Sequence, residues 1–444
     1  MAIHGGSDTS DGSSHGKSRQ GGGRQRTRDR GDSAPRPALC CGTSGWNGLG
    51  PRAPRGVAAR DPGKRYTGPS GRSGGQNSHA ERGVPRCGHT RSVCLMAQES
   101  PWVFVTDRAD GHAERFHRLF QESSPYCERL DIVVDSDGNP QAARNGVLLS
   151  SWSDVRESLG DAGLVISGPL DTVSRHIAQG DFRHVGISWA TDLMVSAASS
   201  HPLASQIEDA VASMDVVVTD NYATENALVS MGVPPERIVR IPWGPESLEA
   251  AESAPSGPGV RERLGVPRDR HIILYPRALE PLYDPFVFVE ALSGLVRDYP
   301  EVCAVVVESG SLVPSVKEAV TESGLKDDVF WAPPLDAAEF QALIRESAMV
   351  VVTPQTDGTS VTLLEAMSLG TPVVTSHTSG SAEWVMNGVT GWSFPVGSAE
   401  ALRVAMSHRM GASNAEVSSI THRAKRLVDS RAGWSKSAAI LSKA

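Results

Sequence analysis

Residues 349–376 read MVVVTPQTDGTSVTLLEAMSLGTPVVTS, and this stretch contains the alternation that decides the fold. An apolar run typical of a buried strand comes first, and a polar loop containing Asp357 follows it. A helix is predicted next, because Thr359 or Ser360 can cap its start and Gly370 can end it. A second apolar run then begins. A strand, a helix and a strand in this order predict a parallel sheet covered by helices.

The same alternation runs along the chain from residue 101 onward. Strand-like runs such as WVFVTD, RLDIVVD, AGLVISG and MDVVVTD alternate with helical stretches such as HAERFHRLFQ. Residues 242–260 break this rhythm, being rich in Pro, Gly, Ser and Glu, and the alternation restarts with HIILYPR and EVCAVVVES. We therefore expect an α/β protein with two Rossmann-like, doubly wound domains that face each other across a cleft. Ligands of such sheets bind at the carboxyl ends of the strands.

The first 95 residues have a different composition from the remainder. They hold 20 of the 44 glycines and 16 Lys and Arg against 6 Asp and Glu, with few apolar residues. Such a segment cannot bury enough apolar surface to offset its chain entropy, so we expect a disordered, basic leader over residues 1–97. Two alternatives stay open: a basic tail that contacts RNA or an anionic membrane, and a translation start at Met96.

Charge and cysteine content restrict the class of protein. After residue 95 the chain holds 27 Lys and Arg against 45 Asp and Glu, and this acidity argues against nucleic acid as a partner. No apolar run reaches the roughly 18 residues of a membrane span, and the start lacks the apolar core of a signal peptide. The six cysteines show no CxxC spacing, which favours a reducing, cytoplasmic location without a zinc site.

Asp357 and Glu365 are the two acids of the opening stretch. Eight helical residues span about 12 Å, so the two carboxylates are too far apart to share one proton or one metal ion. They can bind hydroxyl groups at two ends of an extended ligand, and the N–H groups of Gly358, Thr359 and Ser360 between them favour phosphate. This pattern suits a sugar–diphosphate–ribose ligand. The alternative is a pair of ordinary, solvated acids.

The stretch from Thr353 to Leu402 resembles the signature of retaining, family-four (group 1) glycosyltransferases with the GT-B fold. Their hallmark is an acid, seven residues and a glutamate. The runs MGVPPERIVRIPWGPES and PRALEPLYDPFVFVEAL agree in order, and the resemblance covers roughly residues 100–440. It implies the following divisions: an acceptor domain over 98–245, a linker over 246–260, a nucleotide-sugar donor domain over 261–425, and a C-terminal helix over 426–444 that crosses back to the first domain.

The resemblance implies roles for residues of the second domain. Glu365 would bind the ribose of the donor, and Asp357 would approach the donor sugar. Arg277 would meet the diphosphate, and Leu282 stands where many relatives add a lysine. The diphosphate and its surroundings would be held by four further donor-binding residues, Gly358, Thr359, Ser360 and Val361.

In the first domain, WATD stands where many relatives carry His-Gly-x-Asp. Asp192 matches the acid and is a catalytic candidate, while Trp189 replaces the histidine. The acceptor-loop candidates are Asp110, Gly111, His112 and Trp189. Glu383 follows another strand and is expected either to reach the cleft or to cap a helix. An aromatic content of 5% offers no obvious platform for stacking a sugar.

The activity implied is retaining transfer of a sugar from a nucleotide-diphosphate sugar to an acceptor hydroxyl. No metal and no cofactor beyond the nucleotide-sugar co-substrate are expected. Two alternatives are an epimerase of the same architecture and a non-catalytic sugar-nucleotide-binding protein. The sequence leaves the donor base, the sugar, the acceptor and the oligomeric state open, and it leaves open a peripheral membrane contact with a lipid acceptor.

Overall fold

The computed structural model describes residues 101–108, 111–124, 126–245 and 259–441. The expected leader over 1–97 and most of the expected linker over 246–260 lie outside the described residues. Two six-stranded parallel sheets form the framework, and each alternates with helices along the chain. The prediction of two doubly wound α/β domains is therefore confirmed.

The first sheet has the strand order β2-β1-β6-β7-β8-β9. The strands of this domain are β1 (Trp102–Thr106), β2 (Cys127–Asp131), β3 (Val133–Val134), β4 (Pro140–Arg144), β5 (Val147–Leu149), β6 (Leu164–Gly168), β7 (His184–Ile187), β8 (Val216–Thr219) and β9 (Ile238–Arg240). Its helices are α1 (Gly111–Ser123), α2 (Trp152–Ser158), α3 (Arg175–Ile177), α4 (Ala197–Ser199), α5 (His201–Ser213) and α6 (Tyr222–Ser230).

The second sheet has the order β12-β11-β10-β13-β14-β15. Its strands are β10 (His271–Tyr275), β11 (Val302–Val307), β12 (Val329–Ala332), β13 (Met349–Val352), β14 (Val373–Ser376) and β15 (Trp392–Phe394). The helices that follow the linker are α7 (Val260–Arg263), α8 (Pro285–Asp298), α9 (Val313–Glu322), α10 (Ala337–Glu346), α11 (Val361–Ser368), α12 (Ser379–Ala382), α13 (Ala399–Gly411), α14 (Asn414–Arg431) and α15 (Trp434–Leu441).

The run RLDIVVD does not form the single strand that its composition predicts. Strand β2 ends at Asp131, and the buried side chain of Ile132 anchors the chain where it leaves the sheet. Val133 and Val134 pair instead with β4, which also pairs with β5 to complete a small antiparallel sheet. Both valines are exposed, so β-branched composition alone did not reveal which sheet they join.

Each large sheet is buried on both faces, which explains its nearly continuous apolar strands. Along β10, Ile273 and Tyr275 belong to one apolar cluster together with residues of α8. Ile272 and Leu274 point to the opposite face and belong to another cluster together with residues of α11. The alternation of side chains along a strand therefore places one core on each side of the sheet.

The C-terminal segment packs on the first domain. Trp434, at the start of α15, donates its indole N–H to Glu122 of α1 over 3.1 Å. The buried hydroxyl of Ser437 donates to the carbonyl oxygen of Pro242 over 3.1 Å. These contacts couple the end of the chain to the helix and the strand exit that border the cleft.

We expect Gly244→Ala to weaken the packing of the C-terminal segment against the first domain. A Cβ atom at Gly244 would lie 1.2 Å from the carbonyl oxygen of Ala432, so the backbones must separate. Overpacking of this kind destabilises by about 1–3 kcal/mol, which should lower the melting temperature by several degrees in calorimetry. The control is Gly433→Ala, because no atom lies within 4 Å of a Cβ there. Equal melting temperatures for the two variants would contradict the expected clash.

Candidate active site

The loop between β13 and α11 presents backbone N–H groups at the start of a helix. Ser360 is the N-cap of α11, and its hydroxyl accepts a bond from the N–H of Leu363 over 3.4 Å. Gly370 follows the helix in the left-handed conformation, with φ of 75°, as expected for its end. The preceding residues Gly358 and Thr359 therefore lie where the positive end of the helix dipole meets the cleft.

A cavity of about 230 Å³ lies in front of this loop, between the two domains. Its walls come mainly from loops that follow the carboxyl ends of strands in both sheets, the position at which doubly wound domains bind ligands, with further residues from helices α1 and α11. The first domain contributes Arg108, Phe116, Ser188, Trp189, Thr191, Asp220 and Trp243. The second domain contributes Arg277, Leu282, Tyr283, Asp357, Gly358, Thr359, Ser360 and Val361.

Arg277 is held at the centre of the second-domain wall. Its guanidinium lies 3.4 Å from the carboxylate of Asp357 and donates to the hydroxyl of Ser360 over 3.3 Å. The ring of Tyr283 stacks under it, 3.9 Å from the guanidinium carbon. Because Leu282 lines the same cavity, the position of the family's lysine is apolar here. A planar, fixed guanidinium can bind two phosphate oxygens at once.

Asp357 is largely removed from solvent beside Arg277. Burial raises the pKa of its carboxyl, while the charge of Arg277 and the N–H of Gly358 oppose that shift. Oxygen Oδ2 faces Arg277 and has no hydrogen bond among the described residues.

Asp220 belongs to this site, and the sequence reasoning missed it. It follows β8, and its carboxylate accepts the N–H of Thr359 over 2.6 Å, while the Thr359 hydroxyl donates to the Asp220 carbonyl over 2.9 Å. Burial, together with the charges of Asp357 and Asp192 and against the opposing Thr359 N–H, raises the pKa of Asp220 to about 7. Its position at the end of the run MDVVVTD, directly after β8, was the available signal.

Aromatic side chains form part of the first-domain wall, although the low aromatic content gave no sign of it. Phe116 contacts Trp243 edge to face with ring centroids 4.4 Å apart, and Trp189 with centroids 5.6 Å apart. Arg108 lies over Trp189, with its guanidinium carbon 5.5 Å from the ring centroid. These residues come from four separate loops and helices, so only the fold brings them together.

Asp192 is fully buried and is not among the described residues that line the cavity. Its carboxylate accepts the N–H groups of Leu170 and Trp189 over 2.9 and 3.1 Å and the hydroxyl of Ser188 over 2.7 Å. Asp192 therefore joins the segment after β6, which holds Leu170, to the loop after β7, which holds Trp189. Ala190, beside it, adopts φ of 64°, a conformation that favours glycine.

The remaining predicted site residues lie on α11, at the start of α1 and between the two domains. Glu365 lies half-buried on α11, outside the described cavity wall, and Val361 lines the cavity. Gly111 and His112 begin α1, and Asp110 lies outside the described residues. Glu383 bridges the domains, because it accepts the N–H of Tyr222 over 2.6 Å and lies 3.3 Å from Arg431.

The described residues contain neither a membrane-spanning helix nor a cluster suited to a metal ion. No helix in that part of the chain is long and apolar enough to cross a bilayer. The described His, Cys, Asp and Glu side chains form no group of three or more that could hold a metal ion.

Two doubly wound domains with a cavity between their strand ends define the architecture of GT-B glycosyltransferases. Residues 259–409, which hold most of the second domain, match the sequence model of the family "Glycosyl transferases group 1". The chain is also similar to proteins named D-inositol 3-phosphate glycosyltransferase. That of Acidothermus cellulolyticus is 28% identical over 195 residues, 41% of this chain and 43% of the relative. That of Kineococcus radiotolerans is 30% identical over 183 residues, 39% of this chain and 42% of the relative. The chain therefore spans less than half the length of these curated relatives.

Solved structures support the same fold. The Anabaena protein HepE, crystallised with UDP and glucose, is 15% identical with a TM-score of 0.64, covering 78% of this chain and 98% of HepE. Sucrose-phosphate synthase from Thermosynechococcus elongatus is 16% identical with a TM-score of 0.57, covering 78% of this chain and 98% of that one. The likeness spans both domains and confirms the GT-B fold.

Proposed function

We propose that the chain is a glycosyltransferase that moves a sugar from a nucleotide-diphosphate sugar to an acceptor hydroxyl, with retention and without a metal ion. The observation that carries this proposal is the position of Arg277 against Asp357 and Ser360, beside the N–H groups that open α11. Together they place a guanidinium and the positive end of a helix dipole on one wall of the cavity. The group 1 family match of this domain supports the same reading.

The proposed chemistry exchanges one bond to the anomeric carbon for another. The bond from this carbon to the diphosphate oxygen breaks, and a bond to the acceptor oxygen forms on the same face. Negative charge grows on the leaving diphosphate, where Arg277 and the amides of Gly358, Thr359 and Ser360 would stabilise it. The acceptor proton passes to an oxygen of the leaving phosphate. Asp357 would bind a hydroxyl of the transferred sugar.

The substrates are proposed from the relatives. Because HepE was crystallised with UDP and glucose, UDP-sugars are the first donors to test. The relatives named D-inositol 3-phosphate glycosyltransferase make an inositol phosphate the first acceptor to test. Glu365 would bind the ribose of the donor from its position on the first turns of α11.

A thermal-shift panel with UDP-, GDP- and ADP-sugars tests donor binding. A ligand at 100 times its Kd stabilises the folded protein by about 2.7 kcal/mol, so one of these donors should raise the melting temperature by several degrees. Glu365→Ala should abolish most of that shift, whereas Glu318→Ala on the exposed face of α9 should keep it. The proposal fails if no nucleotide sugar stabilises the wild-type protein. An unchanged shift in Glu365→Ala would refute the ribose assignment alone.

A further inference from the structure

The Asp220 carboxylate accepts a hydrogen bond from the Thr359 N–H, which the proposed function assigns to the diphosphate. Its oxygen Oδ2 lies 2.6 Å from the Thr359 nitrogen, within normal hydrogen-bond distance. The approach is so close that a Cβ atom at Gly358 would lie 2.3 Å from the same oxygen. An acid of the first domain thus stands at the helix start where a phosphate would bind.

A diphosphate at this position would meet an unfavourable charge balance. Asp220 and Asp357 both line the cavity, and Arg277 already pairs with Asp357 over 3.4 Å. Arg108, on the opposite wall, lies 3.7 Å from Asp107, and the lysine position holds Leu282. A nucleotide sugar adds two further negative charges, and like charges in a buried site repel strongly. Binding therefore requires that one carboxylate lose its charge or move.

We propose that Asp220 takes up one proton when the nucleotide sugar binds, and that its neutral carboxyl then donates a hydrogen bond to a diphosphate oxygen. The Thr359 N–H, released from the carboxylate, would bind the same diphosphate. This inference rests on the proposed function, because it requires the diphosphate to lie over the Gly358–Ser360 amides. It gives Asp220 a donor-binding role in which a protonated acid contributes the hydrogen-bond donor that Leu282 cannot supply.

The surroundings of Asp220 favour this proton uptake. The side chain is buried, and burial together with the charges of Asp357 and Asp192 keeps its pKa near 7 in the absence of ligand. Negative charge of a diphosphate raises that pKa further. Proton uptake on binding is therefore expected above about pH 7, where Asp220 is mostly charged. At lower pH the group is already protonated, and no uptake is expected. The amide of Asn221 donates to the other carboxylate oxygen over 2.8 Å and holds the group in place.

Isothermal titration calorimetry with UDP-glucose, whose diphosphate is esterified at both ends and does not titrate near neutral pH, tests the proposal. At pH 7.5, heats measured in buffers of different ionisation enthalpy should give an uptake between about one half and three quarters of a proton per molecule bound, because roughly one quarter of the Asp220 groups are already protonated at a pKa near 7. Affinity should weaken by up to tenfold for each pH unit above 7, since one proton is linked to binding. Asp220→Asn should bind without proton uptake, about tenfold more tightly than wild type at pH 8.

The control is Asp215→Asn, the same substitution at the opposite end of β8, where the carboxylate accepts the N–H of His184 over 2.8 Å. This variant should keep the wild-type proton uptake. Heats independent of buffer in the wild type, or uptake that persists in Asp220→Asn, would overturn the inference. If the asparagine variant does not fold, the wild-type measurement still decides. Failure of all nucleotide sugars to bind either protein would instead refute the proposed function.

Discussion

Replacing Arg277 with alanine should lower kcat/KM for sugar transfer by about a thousandfold, close to the loss seen when a preorganised donor to a developing charge is removed. The guanidinium is fixed by Asp357, Ser360 and the ring of Tyr283, so it needs little reorganisation when charge grows on the leaving diphosphate. No lysine shares this task at position 282. Steady-state kinetics with the donor identified by the thermal-shift panel would measure the loss.

Arg277→Lys should recover only part of this activity, because an ammonium group cannot bind two phosphate oxygens in one plane or stack on Tyr283 in the same way. Most of the loss should fall on kcat if the guanidinium acts mainly on the transition state. Arg268→Ala is the matched control, since that side chain is 86% exposed on the same domain. Equal activities of Arg277→Ala and this control would contradict the assigned role.

Gly358→Ala should lower kcat/KM by about a hundredfold or more. An added Cβ would lie 2.7 Å from the Cβ of Ala190 and 2.3 Å from Asp220 Oδ2, both on the first domain. The donor loop and the first-domain loops would have to move apart by several tenths of an ångström or more, and a displacement near 1 Å can reduce catalysis by about 10²-fold. Activity and melting temperature should be measured on the same preparation.

The control for this variant is Gly411→Ala at the end of α13, where a Cβ meets no atom within 4 Å. It should retain wild-type activity. A Gly358→Ala variant as active as the control would show that the two domains do not approach at this loop during catalysis.

The sequence predicts the fold well because local and tertiary preferences agree. Strands buried on both faces are continuously apolar, so β10, β11 and β13 stand out from the chain. The start and end of α11 follow from side-chain chemistry at Ser360 and Gly370. In contrast, β3, β4 and β5 pair in a small, partly exposed sheet, where β3 and β5 are apolar runs of only two and three residues and β4 carries polar side chains.

The sequence predicts only the part of the candidate site whose residues lie together in one segment. Asp357 and the following amides lie together in the sequence, and Arg277 was found through family resemblance. The bond from Thr359 to Asp220 joins residues 139 positions apart, so no local pattern could predict it. The meeting of Phe116 with Trp189 and Trp243 likewise depends on the packing of separate elements.

A crystal structure of the protein with a stabilising UDP-sugar would test most directly whether the α11 loop binds the diphosphate. Phosphate oxygens should lie within about 3.2 Å of the Arg277 guanidinium and of at least one amide among Gly358, Thr359 and Ser360, with the ribose beside Glu365. A nucleotide bound with its phosphates away from this loop, and with the Asp220 carboxylate still on the Thr359 N–H, would contradict the proposed site.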